Sequence, residues 1–161
     1  MRRVLKWALI IAAVAFVAGQ FVRPAQTNPP VDPNRALETI VHVPPHVAAT
    51  LQRACKDCHS NETHWPWYAS VAPTSWFVID HVNHGRRHLN FSEWNRGPGK
   101  EPQDSIDRLR AMCREVQSGA MPLDSYLWIH WGAKLSADDV RRLCEWTEEE
   151  RSRLSAAQAG N

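Results

Sequence analysis

Hydrophobic and polar residues divide the chain into an apolar N-terminal segment, a proline-rich segment and a series of amphipathic helical patterns. The apolar segment covers residues 7–22 and follows Arg2, Arg3 and Lys6. Positive charge before an apolar segment is typical of a signal peptide or an N-terminal membrane anchor. The segment is near the short limit of about 17–25 residues for spanning a bilayer. It lacks a clean Ala-x-Ala cleavage site, so we expect residues 1–23 to remain as an anchor. Whether the segment is a cleaved signal peptide or a retained anchor, we expect the rest of the chain to be exported.

The second segment, residues 24–44, contains five of the chain's 11 prolines and several turn-forming pairs. This composition favours a stiff, extended tether over a helix, and we expect it to hold the folded domain away from a membrane. Residues 45–151 are predicted to form that domain. Residues 152–161 are small and polar, and we expect them to be a flexible tail.

Apolar residues at helical spacing predict an all-α domain. Helices are expected from about Pro45 into residues 55–59, from about Trp76 to His84 behind a Thr74 or Ser75 cap, from Asp104 to Gly119, and from the Ser136 cap to about Ser152. Gly85 is expected to interrupt the second helix before His88. Three residues after the end of the third helix, Pro122 is expected to favour an extended conformation at Met121.

Charge and composition argue against nucleic acid as a partner. The net charge is +2, and removing the three basic residues near the N-terminus leaves 16 basic against 17 acidic residues. The domain therefore has no basic stripe of the kind that binds nucleic acid. Six of the eight tryptophans fall between Trp65 and Trp131; they suit either an aromatic cofactor or an ordinary core.

The segment Cys55-Lys56-Asp57-Cys58-His59 carries the strongest chemical signal. Two thiols two residues apart, followed directly by an imidazole, are the attachment signature of a c-type haem. The thiols can add to the two vinyl groups, and His59 can then bind the iron as its proximal ligand. On a continuous helix, Leu51, Cys55, Cys58 and His59 share one face, which directs all three reactive groups to the same side.

Two other kinds of site could be built from the same residues, a zinc site and a redox-active dithiol. A zinc ion could be bound by Cys55, Cys58 and two of the eight histidines, and a Cys-x-x-Cys pair could be a redox-active dithiol. Cys113 and Cys144 are 31 positions apart and form no second Cys-x-x-Cys pair. No βαβ pattern of a thioredoxin-like site surrounds the motif. The sequence therefore favours haem and leaves both alternatives open.

Met121 is the best candidate for the second axial ligand of a haem iron. It lies 62 residues after His59, follows the helix-ending Gly119 and precedes Pro122. This position suits a thioether presented from a loop, although a methionine can also simply fill a gap in a core. The competing ligands are His81, His84 and His130. Paired with His59, Met121 would favour electron transfer over oxygen binding.

Three further features have both a functional and an ordinary interpretation. Arg86 could donate a charge-assisted hydrogen bond to a haem propionate, or be a surface arginine. Phe77, His81, His84 and His88 form a row that could bind a metal, or be a solvated polar face. Cys113 and Cys144 could form a disulfide in an oxidising compartment or remain buried thiols.

Taken together, these motifs make the chain similar to the bacterial haem-binding-domain family of small exported monohaem proteins. The matching segments are Cys55–His59, Ser60–Thr63, Trp65–Tyr68, Asn90–Trp94 and Gly119–Pro122, with Asn28–Pro30 resembling the family's lead-in. The similarity covers about residues 24–150. It implies a cytochrome-c-like all-α domain around one covalently attached haem, with His59 and Met121 as axial ligands, and it implies no substrate.

We therefore expect a non-enzymatic electron carrier with one haem c. Export predicts a position on the periplasmic side of a bacterial inner membrane, with a periplasmic or respiratory redox protein as partner. One alternative is a haem-based sensor in which a small ligand displaces Met121. Another is a peroxidase-like enzyme with an open distal side lined by His81 or His84.

Overall fold

Helices account for all the regular secondary structure of the described residues. The computed structural model describes residues 1–95 and 101–160, except for the side chains of Glu101 and Pro102. Its α-helices are α1 (Arg2–Gly19), α2 (Pro45–Ala54), α3 (Lys56–His59), α4 (Thr74–His88), α5 (Glu101–Gln117), α6 (Asp124–Leu127) and α7 (Ala137–Ala159). Short 3₁₀ segments span Pro33–Arg35, Leu37–Thr39, Trp67–Ser70, Phe91–Glu93 and Trp131–Ala133. The predicted all-α class is confirmed for these residues.

Helices α5 and α7 form the main packing unit of the domain. Leu109 of α5 and Leu143 of α7 are almost fully buried in the same hydrophobic cluster. The disulfide between Cys113 and Cys144 joins the two helices, with 4.9 Å between the α-carbons. Of the two alternatives for these cysteines, the structure has the disulfide, and the loop that it closes contains Met121.

Part of the predicted tether belongs to the folded domain. Leu37 and Val41 are buried in the same hydrophobic core as α5 and α7. The indole Nε1 of Trp146 also donates a hydrogen bond of 2.8 Å to the carbonyl of His42. The boundary expected at residue 45 is therefore wrong, because apolar side chains before it fill the core that α7 covers.

Two helix starts and one helix end differ from expectation. Helix α4 begins at Thr74 behind Pro73, without a side-chain cap, and continues through Gly85 to His88. Helix α5 begins at Glu101, before the expected Asp104. Gly119, in contrast, has the predicted left-handed conformation, with φ of 74°. The interruption expected at Gly85 is wrong, because the helix continues through this glycine, which packs closely against the backbone of Cys58 in α3.

Helix α7 begins as predicted and ends later. Ser136 and Asp139 form a reciprocal capping box at its N-terminus. The helix then continues to Ala159 instead of fraying near residue 152. Leu154 is 7% exposed and packs in the core, and Arg153 donates a hydrogen bond of 2.7 Å to the carbonyl of Ile40. These contacts hold most of the predicted flexible tail in helical form.

Helix α1 extends from the domain, and residues 1–18 are all exposed. Its end is tied to the domain through the side-chain amide of Gln20, which donates to and accepts from the backbone of Ala72 over 3.1 and 3.0 Å. In the part of the chain that the structure describes, no helix is both long and apolar enough to cross a membrane. The anchor stays a prediction.

Candidate functional site

A cleft of about 720 Å³ lies between α3, α4 and α5 and is closed by the segment that follows α5. This volume is within the range of about 300–1,000 Å³ typical of cofactor and small-molecule sites. Four residues expected to hold the haem all line it: Cys55, Cys58, His59 and Met121. Residues separated by more than 60 positions in the sequence therefore share one cavity.

The imidazole of His59 is held by two backbone carbonyls. Its Nδ1 atom lies 3.1 Å from the carbonyl oxygen of Gly85 and 3.0 Å from that of Leu89. Both partners can only accept, so Nδ1 carries the hydrogen and Nε2 keeps its lone pair. Burial lowers the pKa of His59, which favours the neutral ring. This is the tautomer and protonation state that a metal-binding histidine needs.

Gly85 allows α3 and α4 to approach closely. An added Cβ at this position would stand 2.7 Å from the carbonyl oxygen of Cys58. A glycine in a helix interior costs about 0.5–1 kcal/mol relative to alanine. The close approach compensates for this cost because it brings the Gly85 carbonyl within reach of His59.

The motif does not lie on one continuous helix as expected. Helix α2 ends at Ala54, Cys55 has φ and ψ of −128° and −43°, and the short helix α3 follows. Leu51, which was expected to share the motif's face, is instead buried in the core. The break at Cys55 still leaves Cys55, Cys58 and His59 lining the cleft.

Cys55 and Cys58 are half-buried free thiols. Desolvation raises the pKa of Cys55 to about 12 and that of Cys58 to about 11. Reactive Cys-x-x-Cys pairs instead have a lowered thiol pKa, so the surroundings do not favour a redox-active dithiol. Among the described residues, no three His, Cys, Asp or Glu side chains converge as a metal site, so the zinc interpretation gains no support.

Met121 reaches the cleft from the loop that follows Gly119. Its backbone N–H donates a hydrogen bond of 3.1 Å to the carbonyl of Glu115 in the last turn of α5. Its side chain is partly buried and packs against the hydrophobic core. The helix-ending glycine thus returns the chain over the end of α5 and places the thioether in the wall of the cleft.

The competing histidines occupy different places. His81, His84 and His88 line the cleft from α4, where the continuous helix brings the Nε2 atoms of His84 and His88 within 2.9 Å of each other. His130 is bound elsewhere, with its Nε2 3.1 Å from the hydroxyl of Tyr68. It lines a second, smaller cavity. The structure therefore keeps His81 and His84 as possible ligands and separates His130 from the main cleft.

Arg86 has partners other than those expected. Its guanidinium donates to the carbonyls of Ser60 and Thr27, both at 2.7 Å, to the side-chain oxygen of Asn28 at 2.9 Å and to the hydroxyl of Thr63 at 2.7 Å. It joins the segment after the motif to the proline-rich segment. The described lining of the main cleft does not include it. Its contact with a propionate stays a prediction.

Two residues around the site, Arg108 and Tyr126, are not marked by the sequence pattern. Arg108 lines the cleft and lies over the ring of Trp94, to whose carbonyl it also donates a hydrogen bond. Tyr126, from α6, lines the cleft and donates a hydrogen bond of 3.0 Å to Asp57 inside the motif. Arg108 sits one residue from the core position Leu109, and no local signal marks Tyr126.

The donor set fits a haem that carries two vinyl groups. The cleft presents the imidazole of His59 with an unprotonated Nε2, the soft thioether of Met121 and the two neutral thiols of Cys55 and Cys58. Apolar side chains such as Leu89, Phe91 and Leu143 form much of the remaining wall. These are the ligand types and the apolar surroundings used by haem proteins.

Comparison with known proteins gives the same assignment. A family model described as "Haem-binding domain" matches residues 14–149. Searches of curated proteins and of solved structures found no match. Because the family model covers most of the chain, the chain belongs to the haem-binding domain family.

Proposed function

We propose that this chain is an exported monohaem c-type protein that transfers electrons, with His59 and Met121 as the axial ligands of the iron. The observation that carries the proposal is the shared cleft. One cavity contains both thiols of the motif, the imidazole that follows them and the thioether of Met121.

Each side chain has a distinct role in this proposal. Cys55 and Cys58 attach the cofactor by adding their S–H groups across its vinyl groups. His59 supplies Nε2, and the carbonyls of Gly85 and Leu89 fix its orientation. Met121 supplies a soft sulfur, which raises the reduction potential relative to a second nitrogen ligand. The haem supplies one-electron redox chemistry.

Export is supported by two features of the chain. The disulfide between Cys113 and Cys144 is of a kind that persists in oxidising compartments such as the bacterial periplasm. Three basic residues precede the apolar part of α1, as in exported proteins. We propose that the domain lies on the periplasmic side of the inner membrane, attached through α1, and exchanges electrons with a periplasmic or respiratory redox protein.

Absorption spectra of the purified full-length holoprotein test the ligand assignment. We expect the oxidised protein to show the long-wavelength band of a methionine–iron bond. Met121→Leu should abolish it, because leucine keeps the volume and removes the sulfur. Met112→Leu is the matched control, since Met112 also lines the cleft and its replacement should leave the band unchanged. A band that survives in Met121→Leu removes Met121 from the proposal.

A small-ligand sensor is the second candidate, because Met121 lies in a loop rather than within a helix. Loops open locally at a lower free-energy cost than packed helices, so a methionine in a loop can leave the iron more easily. Rapid binding of carbon monoxide to the reduced wild-type protein supports sensing. Slow or negligible binding supports electron transfer. The peroxidase-like alternative requires peroxide turnover by the same preparation.

A further inference from the structure

We propose that a surface of exposed tryptophans seats the folded domain on the headgroup region of a lipid bilayer. This inference rests on the proposed membrane attachment through α1 and goes beyond it, because it assigns an orientation to the domain. The aromatic surface consists of Trp67, Trp76, Phe77, Trp128, Ile129 and Trp131, which are between 42% and 81% exposed.

The structure brings two distant segments together to form this surface. The hydroxyl of Tyr68 lies 3.1 Å from Nε2 of His130, which ties the two segments together. Phe77, Trp128 and Ile129 line the same small cavity of about 200 Å³. Three of the six residues therefore surround one cavity, and the indole of Trp131 joins them through a hydrogen bond to the carbonyl of Trp128.

Charge is missing from both segments. Residues 65–79 and 125–133 contain no Asp, Glu, Lys or Arg, although 22% of the whole chain is charged. Helix α7 differs sharply, because ion pairs such as Arg141–Asp138 and Arg151–Glu148 cover its exposed side. A water-facing surface normally carries charges of both signs, and a large exposed apolar patch marks an interaction site.

Helix α1 joins the domain at this surface. Its end is held by the Gln20 side chain, which bonds the backbone of Ala72, and by the indole of Trp76, which donates to the carbonyl of Val22. Arg23 donates a hydrogen bond of 2.8 Å to the carbonyl of Ser70. If α1 enters a bilayer, these contacts bring the Trp67–Phe77 side of the domain against the membrane.

The composition of the surface matches the membrane interface. Tryptophan has an apolar ring and one N–H donor, so it concentrates at the boundary between headgroups and hydrocarbon. The basic residues at the start of α1 and Arg23 beyond its end add attraction for anionic headgroups. A lipid surface is therefore the occupant that the continuity with α1 and the absence of charge favour.

Site-directed spin labelling of the full-length holoprotein tests this orientation. The four native cysteines are occupied, two by the proposed haem linkage and two by the disulfide, so a single added cysteine takes the label. The label is placed at Trp128→Cys on the aromatic surface, at Ala12→Cys in α1 and at Ser155→Cys on α7. Vesicles of phosphatidylethanolamine and phosphatidylglycerol supply the bilayer.

Collision rates with oxygen, which enters lipid, and with a water-soluble nickel chelate give the environment of each label. We expect the labels at positions 12 and 128 to collide more often with oxygen, and the label at position 155 to collide more often with the nickel chelate. Each variant must keep the absorption spectrum of the holoprotein. If Trp128→Cys does not fold, Trp67→Cys replaces it, because Trp67 is 80% exposed.

The outcomes separate this inference from the proposed membrane attachment. If position 12 lies in lipid while position 128 behaves like position 155, the attachment stands and the seating is wrong. If positions 12 and 128 both lie in water, both proposals fail. Dipolar broadening between labels at position 128 of two chains would show that a second copy covers the surface, and it would also overturn the seating.

Discussion

Gly85 lies so close to Cys58 that a methyl group on its α-carbon would stand 2.7 Å from the Cys58 carbonyl oxygen. That carbonyl belongs to the backbone of α3 and cannot rotate away as a side chain can. The same glycine offers its own carbonyl to His59. One residue of α4 therefore sets both the distance to the motif and the orientation of its imidazole.

Gly85→Ala should destabilise the holoprotein by roughly 1–3 kcal/mol, the usual cost of overpacking. The methyl group must push α3 away from α4 and weaken the hydrogen bonds to His59. Urea unfolding followed by absorption and by circular dichroism measures the change. Gly132→Ala is the control, because within the described residues an added methyl there meets no atom within 4 Å. Equal stability of the two variants would contradict this role of Gly85.

Arg86→Gln should release the proline-rich segment from the domain. The substitution removes hydrogen bonds to Thr27, Asn28 and Ser60, and bonds from a charged donor each contribute about 1.5–3 kcal/mol net. Limited proteolysis near residues 24–31 is expected to become faster. Arg87→Gln is the control, since Arg87 is exposed and contacts His84. A changed reduction potential with unchanged proteolysis would instead support the propionate contact.

Removing the disulfide should lower the free energy of unfolding by about 2–4 kcal/mol. The Cys113→Ala, Cys144→Ala double variant is compared with the wild type in urea, with and without a reductant. The bond joins α5 to α7 and closes the loop that contains Met121. Reductant should destabilise the wild type and leave the double variant unchanged. Identical urea midpoints for all four samples would show that the bond contributes nothing.

Acid should selectively weaken the start of α7. Hydrogen bonds from Ser136, with a smaller contribution from Arg53, lower the pKa of Asp139 from its ordinary value of 3.8 to about 2. Because the folded value is the lower one, this stabilisation is present above pH 3.8 and disappears as the pH falls towards 2. Asp139→Asn should therefore be less stable than the wild type at neutral pH and nearly equal to it near pH 2.

Thermal unfolding across that pH range measures the difference, which we expect to be about 0.5–2 kcal/mol at neutral pH, as for other helix caps. Glu149→Gln, on the exposed side of the same helix, is the control. A constant gap between Asp139→Asn and the wild type at all pH values would exclude the carboxylate as its source.

The sequence predicts haem binding, which the family match supports, better than it predicts the geometry of the site. The spacing of Cys55, Cys58 and His59 indicates haem attachment without any knowledge of the fold. Gly119 correctly predicts the left-handed end of α5 that returns the chain to Met121. These signals are local, because a motif or a turn depends on a few consecutive residues.

Contacts between distant segments do not follow from local sequence patterns. A glycine inside a helical pattern predicts a break at Gly85, whereas its contact with Cys58 depends on how α3 packs against α4. The local pattern around Leu37 and Val41 predicts a tether because prolines dominate it, whereas the burial of these two residues depends on α5 and α7. The partners of Arg86 span nearly 60 positions in sequence. Such pairings require the packed structure.

The disulfide between α5 and α7 also divides the four cysteines of the chain into a bonded pair and a free pair. Cys113 and Cys144 meet where two long helices pack, whereas Cys55 and Cys58 face the cleft. Once the first pair is joined, Cys55 and Cys58 hold the two remaining thiols of the four cysteines, and these are the thiols that we propose form the thioethers. In the function that we propose, correct folding therefore keeps Cys113 and Cys144 from competing with haem attachment, and formation of the disulfide and loading of the cofactor become separable events.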